Sequence, residues 1–142
     1  MKQKTLNITT AQTKHSTPGG RIRNARLAAN LTIREVASQI GLTPEAISMI
    51  ENEHNQPSLL SLRKLSDCLD KSLWYFGGFE NLPEATLGDR IRKARFYNGL
   101  HVDEVASIIG VDPRSIRNWE QNKRTPSAKF INDVEIFLTI IE

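Results

Sequence analysis

Four side chains in the second half of the chain, Arg114, Arg117, Asn118 and Gln121, recur at spacings that put them on one face of a helix. Guanidinium and amide groups suit planar, two-point hydrogen bonding. Arginine can donate to guanine O6 and N7, and Asn or Gln can clasp adenine N6 and N7, each worth ~1–3 kcal/mol of discrimination. Ser115 borders this face, and Lys123 and Arg124 follow it. The corresponding residues of the first half are Glu45, Ser48, Met49 and Asn52, then Glu53 and His54. Glutamate can accept from cytosine N4 and methionine can touch a thymine methyl, whereas Glu45 and Glu53 repel phosphates.

Other chemistry is sparse. Cys68 is the single cysteine, which excludes an intrachain disulfide and a cysteine-based metal cluster. Its neighbours Leu65 and Leu69 make it read as a small buried apolar residue. His15, His54 and His101 are scattered, so no metal site is expected. The sequence offers no nucleophile–base set, no glycine-rich phosphate loop and no meaningfully spaced carboxylate pair. No enzyme and no cofactor are expected. A net charge of +3 is modest, and residues 81–142 hold nine basic and nine acidic residues. A nucleic-acid reading therefore rests on where the cations stand, not on bulk charge.

The elements that must carry these residues occur twice. From Arg21 to Ser58 against Arg90 to Ser127, 17 of 38 positions are identical in an ungapped match at an offset of 69. The 142 residues thus divide into two small domains with globular composition, 39% hydrophobic and 25% charged. The expected layout is a flexible tail at 1–16, a first domain at 17–76, a linker at 77–85 and a second domain at 86–142. Lys2, Lys4, Lys14 and His15 could let the tail brush phosphates. No run approaches the ~18 apolar residues of a membrane helix, and no signal-peptide core is visible, which suggests a cytoplasmic protein.

Thr17-Pro18 starts a first helix with Ile22, Ala25 and Ala29 inward. Thr32 and Glu35 form a capping box for a second helix ending at Gly41. Thr43-Pro44 opens a third, with Ile47 and Ile50 inward, and Ser58 caps a fourth carrying Leu59, Leu62, Leu65 and Leu69. Residues 71–76 add a fifth, with Leu73, Trp74 and Phe76 closing the bundle. Helices near 87–98, 102–109, 113–121 and 128–141 are expected in the second copy, with no fifth. Ile136, Phe137, Ile140 and Ile141 are too many for one small core, so some should cover another surface.

Short helix, glycine turn, short helix is helix-turn-helix geometry. The stretches Glu35–Gly41 with Ile47–Glu51, and Glu104–Gly110 with Ile116–Glu120, resemble the phage-repressor-like (Cro and lambda/434 repressor, XRE-type) domains, as do the loops ending Pro57-Ser58 and Pro126-Ser127. The resemblance implies an all-α protein of two tandem helix-turn-helix bundles, five helices and then four. It implies that the third helix of each copy lies in the major groove of double-stranded DNA, its outward side chains on base edges. Lys123 and Arg124 then fall where the family's loop meets phosphate. Arg26 with Glu51, and Arg95 with Glu120, match a structural ion pair between first and third helices. Ile33 and Val102 stand where the family often has a phosphate-binding glutamine, leaving backbone amides for that contact.

The expectation is a bacterial or phage transcriptional regulator, a repressor that occupies a promoter. A linker of about ten residues, ~35 Å at full extension, would just let two such helices enter grooves ~34 Å apart. The alternative is an antitoxin or anti-regulator whose first domain, or whose apolar C-terminus, grips a protein partner or a second copy.

Overall fold

A computed structural model describes residues 17–142, so the basic tail expected at 1–16 lies outside the described residues. The chain divides into two compact units, one ending at Gly78 and one beginning at Phe79. Five α-helices form the first: α1 (Pro18–Ala28), α2 (Ile33–Ile40), α3 (Pro44–Glu51), α4 (Leu59–Leu69) and α5 (Leu73–Gly77). Four form the second: α6 (Leu87–Tyr97), α7 (Val102–Ile109), α8 (Pro113–Glu120) and α9 (Ile131–Leu138), with 3-10 turns at Phe79–Asn81 and Thr139–Ile141. Among the described residues the architecture is all-α, five helices and then four.

Local chemistry sets most helix ends. Thr17 Oγ1 accepts from Gly20 N at 3.1 Å, Thr43 Oγ1 from Ala46 N at 3.1 Å and Ser58 Oγ from Ser61 N at 3.1 Å. Thr32 with Glu35 and Thr86 with Asp89 form reciprocal capping boxes. Gly41 (φ 73°) and Gly110 (φ 87°) end α2 and α7 in the left-handed region, where a Cβ would cost ~1–2 kcal/mol.

Both cores keep the offset of 69. Ile22, Ala25, Val36, Ala37, Ile40, Ile47, Leu65 and Leu69 are buried, and so are their counterparts Ile91, Ala94, Val105, Ala106, Ile109, Ile116, Val134 and Leu138. Ile50 is replaced by Trp119, also buried.

Several expectations are corrected. Ala29 is exposed, because α1 stops at Ala28 and Asn30 turns left-handed (φ 58°). Cys68 is half-buried rather than buried: its thiol donates to Gln39 Oε1 at 3.0 Å, and burial pushes its pKa up. Of the fifth helix only Phe76 is fully buried, while Leu73 and Trp74 are partly exposed. The last helix starts at Ile131 instead of 128, after a turn in which Phe130 N and Ile131 N donate to Ser127 O. Phe130 stands where the first copy has Ser61, and its ring packs 6.4 Å from Trp119. That aromatic contact replaces the serine-capped first turn of α4. Of the C-terminal apolar residues, Phe137 and Ile141 pack on the second core, and Ile136 (69%) and Ile140 (42%) stay exposed.

Part of the stretch expected as linker is folded. Phe79 lies 4.9 Å from the Phe96 ring, and the buried Lys93 donates to Glu80 O at 3.0 Å and the Glu84 carboxylate at 2.9 Å. Residues 79–84 therefore belong to the second unit.

Gly19 and Gly88 are buried where the first helix of each unit meets the end of the third. A Cβ on Gly88 would fall 2.4 Å from Trp119 O and 2.7 Å from Glu120 O; one on Gly19 would fall 2.3 Å from Ile50 O. These neighbours are backbone and cannot swing away. Gly88→Ala should therefore lower stability by about 1–3 kcal/mol, read as a fall in the thermal midpoint. An unchanged midpoint would mean that the two helices do not touch this closely.

Candidate nucleic-acid interface

The candidate reading helix of the second unit, α8, is held from behind and open in front. Asp112 caps it, Pro113 fills its first position, and Ile116 and Trp119 bury its inner side. Arg114, Arg117 and Gln121 are exposed, and Ser115 and Asn118 are partly exposed beside them. The spacing thus brings these five residues to one open surface. Lys123 and Arg124 are exposed too, and their backbone amides donate back to Asn118 O at 2.9 and 3.4 Å. The loop is consequently folded onto the end of α8, which keeps both cations near its face. Asn122 fastens it from the other side: its Oδ1 accepts from Gly88 N at 3.1 Å and its Nδ2 donates to Thr86 Oγ1 at 3.0 Å.

Behind α8, Arg95 makes a two-point contact with Glu120, Nε–Oε2 at 2.7 Å and Nη2–Oε1 at 2.9 Å, while Nη1 donates to Leu100 O at 3.2 Å. In the first unit, Arg26 does the same with Glu51 (2.7 and 3.0 Å) and Leu31 O (2.9 Å). Each guanidinium thereby joins the first helix, the third helix and the turn entering the second. Both pairs are largely shielded from water. They face away from the open surface and act as structural clamps.

On α3, Glu45, Met49 and Asn52 are exposed and Ser48 is partly exposed. Asn52 turns back on its own helix, donating to Ser48 O at 2.9 Å. Met49 shares a weak contact with Asn55. This surface carries a carboxylate and a thioether where α8 carries two guanidiniums and an amide. Among the described residues, no group of three His, Cys, Asp or Glu could hold a metal ion. No helix there is long and apolar enough to cross a membrane.

Two features of the site escape a reading based on periodicity. One is the paired threonine and glycine, Thr17 with Gly19 and Thr86 with Gly88, which extending the repeat four residues upstream would have exposed. The other is that both α8 arginines have carboxylate neighbours. Arg114 Nε lies 3.3 Å from Asp112 Oδ1, and Arg117 Nη2 lies 3.8 Å from Asp103 Oδ1.

Two family models match the chain, one described as helix-turn-helix over residues 22–76 and one as helix-turn-helix domain over 88–138. The chain is a tandem helix-turn-helix protein. Its domains make it a DNA-binding regulator of the XRE type. Comparison with curated proteins and with solved structures found no match. In this helix-turn-helix protein the two copies share their frame and differ in the chemistry of their open faces.

The clamps set the stability of that frame. Arg26→Met leaves the Glu51 carboxylate buried without its partner and should cost about 3–5 kcal/mol. Adding Glu51→Leu should recover much of the loss, as measured by denaturant unfolding. A double variant as unstable as the single one would contradict this account.

Asp112 supplies a pH signature. The Arg114 backbone amide first, and then its guanidinium, hold the carboxyl below its ordinary value. A lowered folded-state pKa means the cap stabilises α8 above the unfolded value of about 3.9 and is lost as pH falls through the folded one. The Arg114 amide chemical shift should titrate with a midpoint below that value. A midpoint at or above it would rule the cap out.

Proposed function

We propose that this protein is a sequence-specific repressor that reads double-stranded DNA in the major groove, chiefly through α8. The observation that carries the reading is the open α8 face, with Arg114, Ser115, Arg117, Asn118 and Gln121 flanked by Lys123 and Arg124. Donors in that arrangement match base edges, and the loop cations match phosphate. Glu45, Ser48, Met49 and Asn52 form the poorer reading face of the first unit. Repression follows from occupying a promoter in the cytoplasm of a bacterium or a phage-infected cell. Release comes from a partner, from degradation or from competition.

A second reading, an antitoxin or anti-regulator, is favoured by two observations. Met49 is 42% exposed next to acidic groups, and Ile136 is 69% exposed on α9. Either surface could receive a protein partner or a second copy.

Selection of bound duplexes from a random library by the full chain decides between these readings. Enrichment of a defined site supports the regulator, and no enrichment favours the protein-binding reading. On the selected site, Arg114→Ala and Asn118→Ala should each lose ~1–3 kcal/mol of binding and relax preference at one base pair. Retained affinity in both would remove α8 as the reader. Loss of base preference in Glu45→Ala with Met49→Ala would assign part of the site to the first unit.

A further inference from the structure

The second residue of α7, Asp103, stands beside the α8 face, its Oδ1 3.8 Å from Arg117 Nη2. Its counterpart in the first unit has the opposite sign: Arg34 is the second residue of α2, alongside a shallow depression shared with Thr32, Ile33 and Pro44. On the third helix, the first unit has Ser48 where the second has Arg117. The two units thus differ in which of these two helices carries the cation. In the first, the cation sits on the second helix. In the second, an anion sits there and the cation is on the reading helix.

We propose that Asp103 is a positioning residue for Arg117 that raises discrimination between a target site and bulk DNA. This rests on the DNA reading above and names a residue that fixes its specificity. An arginine side chain on an open helix face samples many rotamers and loses that freedom when it clasps a base. The Asp103 carboxylate, 3.8 Å from one terminal nitrogen, draws the guanidinium toward the edge of the face by its charge. The same carboxylate offsets its charge toward phosphate, the sequence-independent partner of any exposed arginine. A two-point contact to guanine can use the group so placed. A lone phosphate must compete with the carboxylate for it. With the pair 54% and 76% exposed, the effect is a bias rather than a lock, about two- to fivefold.

The test uses full-length protein and two duplexes, one with the selected site and one with a scrambled sequence, over a salt series. Asp103→Asn should cut the ratio of the two affinities by about two- to fivefold. Affinity for the scrambled duplex should rise, and its log–log salt slope should steepen by up to ~0.9, as expected for one more phosphate contact. Asp103→Glu should keep the wild-type ratio. In an Arg117→Ala background, Asp103→Asn should leave the ratio unchanged. The proposal is overturned if Asp103→Asn leaves the ratio alone, or if it shifts the ratio equally without Arg117, which would mean general repulsion of phosphates. A wild-type chain that binds neither duplex, or both equally, would sink the DNA reading itself, a different result from either of these.

Discussion

Each unit depends on one guanidinium largely shielded from water. Arg26 and Arg95 lie on the first helix, yet each holds the last residue of the third and the turn leading into the second. Three segments that also share the apolar core are thereby tied at one polar point. The arrangement suits a third helix only about two turns long, which could not hold its own orientation by propensity. Burying such a pair is expensive unless the geometry is good and every donor is used. Here the two-point contact and the backbone carbonyl meet that condition in both copies.

The glycines complete the constraint. Gly19 and Gly88 let the start of the first helix rest on the carbonyls that end the third, so the clamp acts across a backbone contact with no side chain between. In the second unit Asn122 adds hydrogen bonds to Gly88 and Thr86, adopting a left-handed conformation (φ 58°) that asparagine tolerates. The first unit has Glu53 at that place (φ 65°), a residue less suited to it. The unit with the cationic face is thus the one whose post-helix loop, carrying Lys123 and Arg124, is better fastened.

The parts of this fold visible in the sequence are those governed by local rules repeated in register. The Thr32–Glu35 box, the left-handed Gly41, the inward Ile47 and Ile50 and the Arg26–Glu51 pair are all of that kind, and the second copy repeats each idea at the same offset. Where tertiary contacts override local signals, the sequence misleads. Ser127 has the look of a cap because Ser58 is one, but Phe130 packing on Trp119 delays the helix by about one turn. Phe79 and Glu84 look like linker because nothing nearby in sequence needs them; their partners, Phe96 and Lys93, lie one helix further on. The open faces were legible as residue types at helical spacing. The carboxylates beside Arg114 and Arg117 were not, since one of them comes from another helix.

Lys93 also makes the two copies unequal as modules. Its position in the first copy is held by Asn24, a neutral residue. The ammonium in the second copy is buried on the condition that Glu80 and Glu84 come with it. A duplicated unit has thereby become bound to the segment that precedes it. The second copy keeps this contact when the cut falls at Gly78, whereas a chimera joined at Thr86 would take away both acceptors of Lys93.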